Sequence, residues 1–186
     1  IPGNVKTIGS YAFSNCSNIE TLTLEYGIET IGEYAFQNLK ITTVTVPDSV
    51  TSISYGSFKG CDSLESITLP FVGDDRYIGS SDSPSCKFGY IFDYTTINVS
   101  GTTYDGKNYY YYIPSSLRTV TITDATGISA NAFYGCNKLT SVTLNSDVTT
   151  INTYAFYGCS SLTSFAVPTS TTTIGDYAFY GNTNLS

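Results

Sequence analysis

Side chains able to do covalent chemistry are scarce in this sequence, and their spacing does not bring them together. None of the 186 residues is histidine. That removes Ser-His-Asp and Cys-His nucleophilic sites, and with them the common histidine-containing zinc sites. Five cysteines are present. Cys16, Cys61, Cys136 and Cys159 lie far apart and form no Cys-x-x-Cys pair, so a four-cysteine zinc site is not supported. Two carboxylates could serve as a glycosidase pair. The only adjacent acids are Asp74 and Asp75, beside Arg76, in an irregular stretch that reads as a solvated loop. With Asp82 in reach that loop could hold calcium, yet it lacks the spacing of a defined calcium loop. The expectation is a chain that is not an enzyme and carries no metal or cofactor.

Composition narrows the partners. The chain is 41% hydrophobic and only 12% charged, about half the usual charged share. Eight basic and fifteen acidic residues give a net charge of −7. Nucleic-acid phosphates demand clustered Lys and Arg, and here no two basic residues are neighbours. The same dispersion argues against an anionic membrane surface. No apolar run approaches the ~20 residues of a membrane span, and no signal peptide is visible. Threonine, serine and tyrosine supply the polarity, as is common on secreted and cell-surface proteins. The chain starts at Ile1 and breaks into a repeat at both ends, the pattern of a piece of a longer chain.

The elements that must position any site are set by a repeat. Ile128 to Leu144 reads ISANAFYGCNKLTSVTL, and Ile151 to Val167 reads INTYAFYGCSSLTSFAV, with equivalent letters 23 positions apart. Such a period is the signature of a solenoid. Earlier copies carry Ala12-Phe13, Ala35-Phe36 and Ser57-Phe58, and a last one carries Ala178-Phe179. Within a unit, alternation as in Ser141-Val142-Thr143-Leu144 predicts a short strand. The Ile-x-x-x-Ala-Phe piece fits one helical or 3₁₀ turn. Stacked units then make a parallel sheet with a ladder of Phe13, Phe36, Phe58, Phe133, Phe156 and Phe179 inside it. Pro47, Pro70 and Pro168 close strands. Cys16, Cys61, Cys136 and Cys159 share one unit position with Leu39 and Asn182, which marks a packing site for a small apolar thiol. A Cys136–Cys159 bridge is the alternative, and Cys86 stands alone.

Regularity lapses once. The step from Phe58 to Phe133 is slightly longer than three standard periods. The chain therefore divides into N-terminal repeats over 1–69, an irregular insert over 70–114 and C-terminal repeats over 115–186. In the insert, Tyr90-Ile91-Phe92 reads as a degenerate Tyr-Ala-Phe unit. Thr95–Val99 and Asn108–Ile113 are strand-like, and Asp105-Gly106 between them is a hairpin turn signal. The insert reads as one deformed repeat carrying a hairpin and a polar loop.

The pattern V-x-x-I-x-x-x-A-F-x-x-C-x-x-L-x-x-(V/I/L)-x-L, clearest in Val148–Leu162 and Val5–Ile19, resembles the BspA-type leucine-rich repeat. The resemblance covers nearly the whole chain outside the insert, with six copies in register. It implies a right-handed leucine-rich-repeat solenoid with a parallel strand sheet. It also implies a large, modular, surface-exposed or secreted protein of a host-associated microbe, with roles in adhesion. It brings no catalytic motif, and its consensus fixes no binding residue.

Candidate binding residues are therefore those the repeat leaves free. If Leu22, Val44, Ile67, Val120, Val142 and Phe165 point inward, one outward row is Thr21, Thr43, Ser66, Thr119, Ser141 and Ser164. The next is Thr23, Thr45, Thr68, Thr121, Thr143 and Ala166. Threonine is simply a good exposed strand residue; alternatively the rows form a hydroxyl-lined groove for a glycan or an extended peptide. The sheet's concave curvature and the interrupting insert argue against an ice-binding array. The insert brings Tyr109, Tyr110, Tyr111 and Tyr112 in sequence, with Tyr77, Tyr90, Tyr94 and Tyr104 near. In a strand, Tyr109 and Tyr111 face one side and Tyr110 and Tyr112 the other. One pair can pack while the other stays exposed as a recognition surface; or all four merely cover the break. Tyr134, Tyr157 and Tyr180 form a further row suited to stacking. Asn15-Cys16-Ser17, Asn98-Val99-Ser100 and Asn184-Leu185-Ser186 match the N-glycosylation pattern, the first at a position expected to be poorly accessible. The leading expectation is adhesion to a host or neighbouring-cell protein through Tyr104, Tyr109, Tyr110, Tyr111, Tyr112, Thr119, Thr121, Ser141 and Thr143. A carbohydrate-binding surface and a structural spacer are the alternatives, and the oligomeric state is left open.

Overall fold

A single repeat unit has too little chain to enclose its own apolar side, so the units close a core only by stacking. In a computed structural model they form a parallel-strand solenoid of about seven turns with almost no helix. The structure describes residues 1–74, 83–96, 103–104 and 108–186. Its strands are β1 (Thr7–Ile8), β2 (Thr30–Ile31), β3 (Thr43–Thr45), β4 (Ser52–Ile53), β5 (Ser66–Leu69), β6 (Tyr94–Thr95), β7 (Thr103–Tyr104), β8 (Tyr110–Tyr111), β9 (Thr119–Ile122), β10 (Gly127–Ile128), β11 (Ser141–Thr143), β12 (Thr150–Ile151) and β13 (Thr173–Ile174).

The alternating segments make a front sheet of four parallel strands in the order β11-β9-β5-β3. Val44, Ile67, Val120 and Val142 lie in register and are buried. The six-member rows read from the sequence shorten accordingly. Thr21 and Thr23 lie outside the sheet, and Ser164 joins only through a single bridge to Ser141. A second, rear set of strands has no counterpart in the sequence reading: β1-β2-β4 and β10-β12-β13, also parallel. Each is a two-residue Thr-Ile, Ser-Ile or Gly-Ile step, too short for alternation to announce it.

The turn expected around Ala-Phe takes a more specific form than a helical turn. Two residues four apart are left-handed in six coils: Tyr11 and Asn15, Tyr34 and Asn38, Gly56 and Gly60, Asn131 and Gly135, Tyr154 and Gly158, Tyr177 and Gly181. They break the helix into successive tight turns whose amide protons alternate in direction. In the first coil, Ala12, Ser14 and Cys16 donate within the coil to Gly9, Tyr11 and Phe13 at 3.1–3.2 Å. Tyr11, Phe13 and Asn15 donate to Glu33, Ala35 and Gln37 of the next coil at 2.8–2.9 Å. Every amide from residue 11 to 16 is thus satisfied, the arrangement that the buried coils need. The same crossing bonds recur from Phe36 to Ser57, Phe133 to Ala155 and Phe156 to Ala178.

This ladder settles how the insert is threaded. Because β5 pairs directly with β9, the chain between Phe58 and Phe133 covers two coil steps rather than three. One coil is stretched, and the front sheet runs past it unbroken. Gly56 and Phe58 donate to Tyr90 and Ile91, so Tyr90-Ile91-Phe92 does occupy the Tyr-Ala-Phe rung toward the preceding coil. Toward the following coil the rung belongs to Phe88, whose amide donates to Ala132. The only 3₁₀ helices among the described residues, Pro84–Cys86 and Phe88–Ile91, lie here. Asp74, read as part of a solvated loop, has its backbone on a coil rung: Ile53 donates to its carbonyl and its amide donates to Ser85.

Phenylalanine rings fill the axis. Phe13, Phe36 and Phe58 stack at 5.8 and 5.4 Å between centroids; Phe88, Phe133, Phe156 and Phe179 follow at 5.0, 5.0 and 5.2 Å. Tyrosines stack outside them, Tyr134, Tyr157 and Tyr180 at 4.6 and 5.2 Å, and Tyr154 on Tyr177 at 5.2 Å. Truncating the fully buried Phe156 to Ala should cost about 3–5 kcal/mol, read as a lower urea midpoint with little change in slope. Phe88→Ala should cost a similar amount, because Phe88 is the ladder member across the stretched coil.

Candidate functional site

The front sheet and the insert carry the sequence-derived candidates, and the structure places them on separate sheets. On the sheet, Thr43, Thr45 and Thr143 are exposed, while Ser66, Thr68, Thr119, Thr121 and Ser141 are half-buried. Elsewhere hydroxyls serve the coil-to-coil contacts. Ser49 donates to Ile28 at 2.7 Å, Thr149 to Thr126 at 3.1 Å, and Ser116 to both Asp62 and Leu64 at 2.8 and 2.7 Å. By contrast, none of those eight front-sheet hydroxyls makes a hydrogen bond within the described residues. The result is two parallel rows of uncommitted donors and acceptors, ~4.8 Å apart along each row.

In the insert, β8 is the central strand of an antiparallel sheet, with β6 and β7 on its edges. Tyr94 and Tyr104 lie opposite Tyr111 and Tyr110 respectively. Alternation of faces holds. Tyr111 is buried and packs on Tyr94 at 5.8 Å, its hydroxyl donating to Pro84 at 3.3 Å. A Cβ on residue 89 would collide with that tyrosine ring, so glycine is required there. Tyr109, half-buried, meets Tyr94 edge-on at 5.2 Å. Tyr110 is half-buried, and Tyr112 is the exposed member at 40%. The insert strand β8 and the front strands β9 and β11, which carry Thr119, Thr121, Ser141 and Thr143, belong to different sheets. The Tyr104 side chain, Asp75, Arg76, Tyr77, Asp82, the Asp105-Gly106 turn and the Asn98-Val99-Ser100 acceptor lie outside the described residues.

Beneath the hairpin is a polar centre that no motif announces. Asp93 is buried and left-handed at φ 133°. Its carboxylate accepts from the Tyr55 hydroxyl and from the Tyr94 amide at 2.8 Å, and pairs with Lys59 at 2.7 Å. Lys59 in turn lies 5.4 Å over the Tyr34 ring. Burial, opposed by the Tyr94 amide, holds the Asp93 carboxyl above its ordinary value. Lys59 and Asp93 directly follow Phe58 and Phe92 and so share one unit position in successive coils; elsewhere that position holds Ser14, Gln37, Tyr134, Tyr157 and Tyr180, so the repeat pattern does not announce an ion pair there. Among the described residues no cluster of three or more acidic or cysteine side chains has metal-site geometry, and no helix is long and apolar enough to cross a membrane.

A solenoid of parallel strands with one ring ladder and one stretched coil defines the class as a repeat scaffold. The family model of the BspA-type leucine-rich repeat region, in 6 copies, matches residues 1–104 and 103–186. The chain belongs to that family. Its structure is similar to a leucine-rich repeat protein from Eubacterium ventriosum, with 28% identity and a TM-score of 0.61 over 97% of this chain and 41% of the other. It is also similar to one from Bacteroides ovatus, with 24% identity and a TM-score of 0.58 over 100% of this chain and 46% of the other. The chain thus spans less than half the length of either. No curated protein matches the sequence. Members of such solenoid families are generally not enzymes, and often act at the cell surface.

The shared cysteine position behaves as a packing site. Cys61, Cys136 and Cys159 are buried free thiols, and Cys61 and Cys159 donate to the Phe36 and Phe133 carbonyls at 3.2 and 3.1 Å. Cys16 and Asn15 are exposed, contrary to the expectation for the first glycosylation acceptor. Burial pushes Cys61 and Cys159 from the ordinary 9.0 up to about 12, and also raises Cys136. These thiols ionise later in the folded chain than in the unfolded one. Their contribution to stability is therefore whole below pH 9 and is lost as pH rises through about 12. A thiol-reactive probe on the native protein at pH 8 should modify Cys16 and Cys86, and reach the other three only in denaturant. Urea midpoints should fall as pH is raised above 9, less steeply in Cys61→Ala.

Proposed function

We propose that this chain is a non-enzymatic binding segment of a cell-surface or secreted protein, and that it recognises a protein on a host or neighbouring cell. The observation that carries the reading is the pair of hydroxyl rows on the unbroken front sheet. Their side chains stabilise no neighbour, although comparable groups elsewhere are bonded to the next coil. An extended peptide or protein edge laid across four strands would meet hydrogen-bonding groups at regular intervals. The outward side of the Tyr109–Tyr112 strand adds amphipathic area held by the buried Tyr111, and rigid tyrosines bind at little entropic loss. Membership of the repeat family and the absence of histidine support a role in binding rather than turnover.

Binding of the labelled chain to cultured epithelial cells tests this. Thr121→Lys with Thr143→Lys should lower binding by about tenfold, since hot-spot losses of ~1.4 kcal/mol or more are typical of interface centres. Proteolytic shaving of the cells should abolish it, and enzymatic removal of their glycans should not. Binding that survives shaving, or that the double variant leaves intact, would overturn the reading.

A further inference from the structure

A cleft of about 400 Å³ opens between the insert and the second and third coils, lined by Asn38, Lys59, Gly60, Asp62, Asp93 and Tyr112. That size falls within the range of about 300–1,000 Å³ usual for small-molecule sites. Three separate parts of the chain build it. Tyr112 is held there by its amide, which donates to the Asp93 carbonyl at 3.1 Å, and its ring is 40% exposed. Lys59 is fixed by Asp93 at 2.7 Å yet keeps 38% of its side chain exposed. Asn38 donates through Nδ2 to Asn15 at 2.7 Å, which leaves its Oδ1 as an acceptor. Residue 60 is left-handed at φ 68°, a conformation that favours glycine, and a Cβ there would displace that oxygen. The Asp62 carboxylate is exposed and makes no bond to the protein.

The balance of these groups selects the ligand. An anion would face the Asp62 and Asp93 carboxylates together. A basic side chain would meet the Lys59 ammonium. A neutral sugar ring offers hydroxyls that both donate and accept, matching an ammonium, a carboxamide oxygen and carboxylates at once. Its C–H face suits an exposed tyrosine ring, which is apolar in body and polar at one edge. We propose that this cleft is a subsite for one neutral pyranose residue of a glycan, with Tyr112 as its platform and Asp62 and Lys59 as its polar contacts. The subsite shares Tyr112 with the tyrosine surface of the protein-ligand reading but no residue with the hydroxyl rows that carry that reading, so it can hold whether or not those rows bind a protein.

Saturation-transfer NMR on the purified chain tests it with three probes: methyl α-glucopyranoside, methyl β-galactopyranoside and methyl N-acetyl-β-glucosaminide. At least one should show transfer, reduced roughly fivefold or more by Tyr112→Ala and by Asp62→Ala. Asp62 is exposed and its carboxylate is bonded to nothing, so its variant should keep the wild-type unfolding temperature and read binding alone. Absence of transfer to all three glycosides overturns the proposal, as does transfer that neither variant changes. Binding of N-acetyl-arginine methyl ester that depends on Asp62, without any glycoside signal, also overturns it and makes the cleft a pocket for a basic side chain.

Discussion

The structure depends on how amide protons are shared at the Ala-Phe turns. A chain that must pack coil on coil cannot leave its turns unpaired, because a buried amide without a partner costs about as much as a lost hydrogen bond. Here alternate amides close the turn and the rest reach the neighbouring coil. That division needs two left-handed residues per unit. Glycine or asparagine supplies one without difficulty. At the other, Tyr11, Tyr34, Tyr154 and Tyr177 accept a conformation disfavoured for a bulky side chain. Stacked rings, Tyr11 on Tyr34 at 5.1 Å and Tyr154 on Tyr177 at 5.2 Å, offset that penalty.

With the rungs satisfied this way, one coil can be stretched without disturbing its neighbours. Within the insert, Asp74 and Phe88–Phe92 keep their places on the stack. The sheet closes over the gap through Ile67 and Val120. Within the insert, Tyr90-Ile91-Phe92 and Phe88 divide a role that one Tyr-Ala-Phe unit plays elsewhere, the first facing back and the second forward. Loop-closure entropy grows only slowly with length, so a stack with both rungs in place tolerates a long excursion. The excursion is also where tyrosine, a buried carboxylate and a lysine meet.

Much of this is legible in the sequence because the repeat reports burial directly. The phenylalanine positions, the shared cysteine site and the front strands follow from which letters recur at the repeat period. The rear strands do not, since two residues cannot display a period. Length alone leaves the number of coils across the insert open, since the step from Phe58 to Phe133 lies close to three periods; the reading of one deformed repeat through Tyr90-Ile91-Phe92 is the one that strand pairing bears out. Only strand pairing distinguishes a stretched coil from an additional one. The alternation of Tyr109–Tyr112 is readable, whereas the Lys59–Asp93 pair is not. Both follow a ladder phenylalanine, yet that position holds Ser14, Gln37, Tyr134 and Tyr157 in other coils, so the repeat carries no sign of a buried ion pair.

The crossing hydrogen bonds run along the solenoid axis, and this has a mechanical consequence. Tension along the axis would load the rungs end-on, one coil at a time. Peeling of that kind yields at low force compared with shearing many bonds together. Each regular coil that opens would release roughly 75 Å of chain, at about 3.3 Å per extended residue. The coil that carries the insert would release more than twice as much in a single step. A stack built this way can act as a graded extensible tether, with its longest reserve of slack stored beside the tyrosine hairpin.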